Sequence, residues 1–246
     1  MKILVIVIFL KNLFAMNGLE LAKLLDERPK PNDIKSVNTM ILTNKDNKKK
    51  TLELISISKD NSKKQMIWFL KPRKDKGISF LKIEKDNEDD FMTMWLPGFS
   101  RFRRIKSSQK SDSFMGSDLS FEDLTNRTIE DYNYNIIKTN EDGFYFLESI
   151  PKEIESEYSK HITKIKEVED GIFIVFEEDS FDKNNNLLKN KVFNFEKIES
   201  YYVMTELLVK NMQKKSSTLL TLNEIKLNNE FEDSKFIQRS LKLIPK

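Results

Sequence analysis

The chain of 246 residues is 39% hydrophobic and 33% charged and holds only six prolines and six glycines, which excludes a collagen-like or low-complexity chain and argues against one wholly disordered. Forty-two lysines and arginines against 39 acids leave a net charge of +3, too little for the whole molecule to act as a polycation toward nucleic acid. Cysteine is absent, which removes disulfides, thiolate metal sites and cysteine nucleophiles.

Lys2 precedes an apolar run from Ile3 to Leu10, and Ala15 offers a small residue for cleavage, so residues 1–15 read as a secretory signal. The run is far shorter than the ~20 residues that span a bilayer; a buried first strand is the competing reading. Leu19, Leu21, Ala22, Leu24 and Leu25 then recur near helical spacing until Arg28-Pro29, which predicts a short helix over Asn17 to Arg28. Beyond it the period changes to that of strands. Ile34 to Thr43, Thr51 to Lys59, Gln65 to Lys71, Ile78 to Lys85, Asp90 to Leu96 and Arg101 to Lys106 are short segments bounded by polar clusters or by Pro-Gly. The second half repeats the pattern at Tyr132 to Thr139, Phe144 to Ser149, Ile162 to Val168, Ile172 to Glu178, Leu188 to Ile198, Tyr201 to Asn211 and Ser217 to Asn228. Short turns at Asn140 to Gly143, Glu169 to Gly171 and Asp182 to Asn186 suit hairpins and an antiparallel meander.

About a dozen sequential strands with few helices predict a mainly β fold, one curved sheet or barrel, with a sandwich as the competitor. In Asp90 to Leu96, Phe91 and Trp95 point one way and Met92, Met94 and Leu96 the other, so both faces of that strand need cover. Tyr132, Tyr134 and Ile136 alternate with Asn133 and Asn135, as where one face meets water. Trp68, Phe80, Trp95 and Phe102 are candidates to line a cavity, from strand position and size.

The stretch from Ser107 to Arg127 breaks the rhythm. Ser120 with Asp123 three residues later resembles a capping box, and Gly116 permits backbone closed to other residues. A long apolar connection inside a β domain reads as a lid or plug over the sheet. Arg101, Arg103, Arg104 and Lys106, the one local basic cluster, are expected to pair with Asp112, Asp118, Glu122 and Asp123 of this lid, with a charged outer strand face beside Phe102 and Ile105, or a hold on phosphate groups of lipid or nucleic acid, as the alternatives.

Enzymatic readings fare poorly. Gly116-Ser117-Asp118 transposes the order of an esterase block, and the sole histidine, His161, reads as a surface or strand-edge residue. One histidine and no cysteine make zinc improbable, and Asp182, Asn184 and Asn186 begin a calcium-loop spacing that fails at Leu187 and Phe193. No cofactor is expected.

The segments from Phe69 to Gly77, Met94 to Pro97 with Arg103-Arg104-Ile105, and Ser113 to Leu124 resemble, in order and spacing, the outer-membrane lipoprotein-sorting (LolA-like) family. The likeness continues through Asp131-Tyr132, Pro151-Lys152, Tyr158, Leu187 to Lys189 and Phe236 to Leu241. It implies an unclosed antiparallel β-barrel spanning residues 16–246, with an N-terminal helix and a lid, whose apolar hollow receives acyl chains of lipids or lipoproteins. Phe114, Met115, Gly116, Ser117 and Asp118 match the family block, and Leu119 and Phe121 extend the lid. The expected function is a periplasmic, non-enzymatic carrier toward the outer membrane, with an inner-membrane exporter and an outer-membrane acceptor as partners and no nucleic acid. The alternative is an accessory that docks an exporter and holds no cargo.

Overall fold

A computed structural model describes residues 16–85, 88–140, 142–152 and 156–245. The expected signal, residues 1–15, lies outside the described residues. One helix, α1 (Gly18–Glu27), is followed by β1 (Asp33–Thr43), β2 (Lys49–Lys59), β3 (Lys64–Lys71), β4 (Ser79–Ile83), β5 (Phe91–Leu96) and β6 (Arg101–Ile105). After a long connection come β7 (Tyr132–Thr139), β8 (Phe144–Pro151), β9 (Lys160–Glu169), β10 (Ile172–Phe181), β11 (Leu187–Ile198), β12 (Tyr201–Asn211) and β13 (Ser216–Leu227).

These strands form one 13-stranded sheet in the order β6-β5-β4-β3-β2-β1-β13-β12-β11-β10-β9-β8-β7. Every pairing is antiparallel. Only the β1–β13 pairing joins strands distant in sequence. The barrel is unclosed, with β6 and β7 as its edges, because the chain between them crosses a face of the sheet instead of adding a strand. The short polar turns make this topology local: in the β10–β11 turn, Asp182 Oδ1 accepts from the backbone N–H groups of Asn184 and Asn186, each at 2.9 Å.

Strand alternation sorts the apolar residues onto two faces. On the inner face of β1 to β6, Met40, Leu52, Leu54, Phe69, Phe80, Met92, Met94 and Ile105 pack with Phe114 and Phe121 from the connection. On the outer face, Ile57, Met66, Trp68 and Leu81 pack with Phe236 and Leu241 of the C-terminal segment. That segment is tied down where the Asp33 carboxylate accepts the N–H groups of Asn229 at 2.7 Å and Phe231 at 3.0 Å.

Helix α1 covers the inner face of β7 to β10, where Leu21 and Ala22 meet Leu147, Ile165 and Phe173. Its start is set by a capping box: the Glu20 N–H donates to Asn17 Oδ1 at 3.0 Å and the Asn17 N–H to Glu20 Oε2 at 2.9 Å. Gly18 is needed there because a Cβ would fall 2.7 Å from the Tyr134 and Asn135 backbone, so any larger residue pushes the helix off the sheet.

Candidate functional site

The connection between β6 and β7 is the lid. Its tip is a tight turn in which the Ser117 N–H donates to the Phe114 carbonyl at 3.0 Å, with Met115 at φ 55° and Gly116 at φ 78°. Two successive left-handed residues define a type I′ turn, and this conformation rather than crowding explains Gly116, since a Cβ there would meet nothing within 4 Å. A bridge between Ser113 and Ser120 and the Phe114 N–H to Leu119 carbonyl bond at 2.7 Å close the loop. Phe114, 1% exposed, then inserts between Phe69, Phe80 and Phe121, with ring centroids 5.9, 5.4 and 5.7 Å away. Leu119 packs on Leu207 and Val209 of β12, so the lid bridges both halves of the sheet.

Polar groups fasten what the apolar groups fill. The Thr218 hydroxyl on β13 accepts the Asp118 N–H and donates to Asp118 Oδ2, both at 2.9 Å, and Ser216 donates to Oδ1 at 2.5 Å. Ser120 and Asp123 form the expected capping box, with Ser120 N–H to Asp123 Oδ2 at 2.9 Å and Asp123 N–H to Ser120 Oγ at 3.3 Å. The Asp123 carboxylate also receives Lys191 Nζ at 2.6 Å, Lys189 Nζ at 2.8 Å and the Tyr158 hydroxyl at 2.8 Å. Lys82 on β4 donates to the Leu124 carbonyl at 2.6 Å, and Glu122 accepts from Ser156 Oγ at 2.5 Å and Glu157 N–H at 2.8 Å.

Behind this latch lies a buried ion network. Arg127 grips Glu178 with two bonds of 2.6 and 2.7 Å, and Lys191 reaches Glu178 at 3.2 Å while holding Asp123. Burial alone would raise the Asp123 and Glu178 carboxyls; Lys191 and Lys189 overcome it for Asp123, and Arg127 and Lys191 for Glu178, so both lie well below the usual carboxylate range. His161 is 1% exposed, which corrects the surface or strand-edge expectation. Its Nδ1 must accept from Arg127 Nη2 at 3.1 Å, since guanidinium only donates, so the proton sits on Nε2. Burial, then the nearby Arg127 charge, pushes its pKa well down and keeps the ring neutral.

One of the lid pairings expected of the basic cluster forms and the others do not. Of the basic cluster, only Arg103 reaches a lid acid, Asp112, at 3.7 Å. Arg101 lies over the Phe99 ring, and Arg104, which strand alternation sends to the face opposite Arg101 and Arg103, lies over Phe91. Lys189, Lys191, Glu178 and Arg127 do the pairing instead. Their signal is polar residues at every second position, Glu178/Ser180 and Lys189/Lys191, in phase with inward-facing residues.

The four cavity candidates divide between faces. Phe80 touches the lid, whereas Trp68, Trp95 and Phe102 lie on the outer face beneath Phe236 and Leu241. The expectation that they share one hollow is corrected: Trp68 and Trp95 are one residue out of phase with Phe69 and Met94, and the C-terminal segment supplies the cover the wrong face needs. The inner face of β1 to β6 is filled by the lid. Ser117 Oγ donates to the Phe114 carbonyl at 2.6 Å and accepts the Leu119 N–H at 3.2 Å, so it serves the turn.

Open space lies beside the lid. The β12–β13 ladder runs only from Glu206–Thr221 to Asn211–Ser216; farther on, Tyr201 to Met204 pair with β11, and Leu222, Asn223, Lys226 and Leu227 with β1. The divergence forms a cleft of about 750 Å³ lined by Phe193, Phe195, Leu222, Ile225, Asn194 and Glu206, among others. A wider polar depression of about 1200 Å³ runs along the other flank, past Asp123, Arg127, His161 and Glu178.

This arrangement has counterparts among solved structures. A putative outer membrane lipoprotein-sorting protein domain from Vibrio parahaemolyticus superposes with a TM-score of 0.84 at 26% identity, over 92% of this chain and 98% of that one. A family model described as "-like: Uncharacterized protein" matches residues 61–243. The chain belongs to the LolA-like lipoprotein-sorting family. A DUF1329 family protein from Desulfovibrio piger gives a TM-score of 0.82 at 27% identity, over 91% of this chain and 97% of that one. A LolA superfamily protein from Nitrosomonas europaea shares the LolA-like fold, with a TM-score of 0.72 at 16% identity over 92% and 100% of the two chains. Comparison with curated proteins gives no match. Among the described residues no helix is long and apolar enough to cross a membrane.

Proposed function

We propose that this LolA-like protein is an exported, non-enzymatic carrier that binds acyl chains of lipids or lipoproteins on the inner face of β1 to β6 and passes them toward the outer membrane. The carrying observation is that the inner face is covered by a segment whose apolar residues, Phe114, Leu119 and Phe121, imitate a guest, while its attachments at Asp118 and Asp123 are polar. Polar attachments regain hydrogen bonds from water on release; apolar contacts are regained from an acyl chain. Leaving a sixteen-carbon chain in water costs about 12 kcal/mol at ~0.8 kcal/mol per methylene, so a carrier must offer comparable apolar surface. The cleft between β12 and β13 reaches Phe193, which packs in the same cluster as Leu119, and would admit a chain beneath the lid edge.

The tight filling under the lid also supports the second reading, a cargo-free accessory that docks a membrane exporter. Native mass spectrometry of the protein taken from cell envelopes separates the two. Bound acyl species support the carrier. A consistently empty protein that also fails to take up a fluorescent fatty acid overturns it.

A further inference from the structure

Four neighbouring turns stand at one end of the sheet, beside the β10–β11 turn: residues 44–48 between β1 and β2, 72–78 between β3 and β4, 97–100 between β5 and β6, and 212–215 between β12 and β13. They form a continuous rim. Lys50 Nζ pairs with Asp75 at 2.9 Å, a Cβ at Gly77 would lie 3.4 Å from Pro97 Cγ, and the Thr43–Ser217 pairing sets the last turn beside the first. The C-terminal segment joins them, because Ser79 Oγ donates to the Leu241 carbonyl at 2.7 Å and Lys242 Nζ lies 4.7 Å from the Trp95 ring.

This rim is cationic, whereas the opposite one mixes acids with lysines. Lys45, Lys48 and Lys49 are exposed on the first turn, Lys71, Arg73, Lys74 and Lys76 at the second, and Lys214 and Lys215 on the last. The acids there are Asp46, the buried, Lys50-paired Asp75, Glu53, which pairs with Lys71 at 2.8 Å, and Asp182, which accepts from Gln213 Nε2 at 2.7 Å. At the other end Glu84, Glu88, Asp89, Asp90, Glu230, Glu232 and Asp233 stand among lysines that pair with them: Lys59 and Lys64 with Asp233, Lys85 with Glu88 and Lys110 with Asp90. In a chain with a net charge of only +3, exposed positive charge is therefore concentrated on the first rim. The cationic rim also carries exposed apolar tips: Phe99 is 72% exposed, Leu243 74% and Met212 47%.

From this juxtaposition we infer that the cationic rim docks on the surface of a bilayer containing anionic phospholipid. Protein interfaces are depleted of lysine and bury a contiguous apolar centre; here the cations are mostly lysines and the apolar tips are dispersed among them. That mixture fits a headgroup layer, where each nearby cation adds about 1 kcal/mol of attraction, roughly fivefold in binding, and single apolar side chains dip between lipids. The inference stands independently of the cargo.

The test is vesicle flotation of the full chain, with phosphatidylcholine alone against phosphatidylcholine carrying about 30% phosphatidylglycerol as the anionic lipid. Anionic vesicles should bind at least about tenfold more protein at low salt, and the excess should fade as ionic strength rises from about 0.05 to about 0.5 M. The double variant Lys74→Glu, Lys76→Glu should lose about tenfold or more, Phe99→Ser several-fold, and Lys85→Glu on the opposite rim nothing. Equal binding to both vesicles, no binding to either, or a double variant that floats like the wild type overturns the inference. Binding to immobilised polyglutamate but not to anionic vesicles does so as well, in favour of an acidic protein partner.

Discussion

Asp118 of the lid and Thr218 of β13 hold each other through one hydroxyl, which accepts the aspartate's own N–H and donates to its carboxylate, both at 2.9 Å. The residues lie a hundred positions apart, and Thr218 is fully buried under the pair. The bond joins the lid to the strand that brings the two halves of the sheet together.

Breaking this clasp should loosen the lid without unmaking the sheet. Asp118→Ala is expected to cost about 1–3 kcal/mol of stability, from the hydrogen bonds lost and the hydroxyl left unsatisfied, and to increase fluorescent fatty acid uptake. A paired Asp118→Cys, Thr218→Cys variant, in a chain with no other cysteine, should take up the probe when reduced and exclude it when oxidised. Uptake indifferent to oxidation would mean that the lid does not gate the inner face.

Met115 tests whether the lid tip meets the guest. It is partly buried against the inner-face cluster at φ 55°, a backbone cost of about 1–2 kcal/mol that the turn already carries. Met115→Asp should weaken probe binding far more than it lowers the urea midpoint, and equal loss of both identifies a plain packing residue.

The two faces should respond differently to truncation. Phe80→Ala opens a hole beside Phe114 and is expected to cost about 3–5 kcal/mol and to reduce acyl binding. Trp95→Ala acts on the outer face, where the ring packs on Phe102 at 4.8 Å, and should lower stability with probe affinity unchanged. Urea unfolding and fatty acid titration of both variants check this, and loss of affinity in Trp95→Ala would place the guest on the outer face.

Acid should release the latch. Asp123 and Glu178 titrate lower in the folded than in the unfolded chain, so their stabilisation is complete above the ordinary carboxylate range, near 4, and is lost as pH falls below it. His161 is also depressed, so protonation opposes folding and stability declines once pH drops below about 6.5. The urea midpoint should therefore fall in two stages, and His161→Asn should remove the upper one while leaving the lower. Asp123→Asn, which removes the nearest carboxylate from two buried lysines and leaves Lys191 with Glu178 and Lys189 with Glu157, should cost about 1–3 kcal/mol at neutral pH.

Much of the site's outline was legible before any coordinates. Turn chemistry at Asp182 to Asn186, the alternation in Asp90 to Leu96 and the capping pair Ser120/Asp123 are local features, written in residues a few positions apart, and the structure contains each of them. The lid likewise announced itself as an apolar stretch out of rhythm with the strands around it.

What the chain alone determined is thus its order of elements, its mainly β class and the identity of the lid, because hydrophobic period, caps and turns act over short range, whereas the unclosed barrel was implied by the family resemblance. Only the tertiary structure decided which cover each face received. Trp68 and Phe69 are equally apolar neighbours, yet one lies under the C-terminal segment and the other under Phe114, since the choice depends on segments far away in sequence folding back onto a shared sheet. The ion network followed the same rule: Asp123 met Lys189 and Lys191 rather than the nearer arginines because burial rewards only the partners that strand pairing brings within reach.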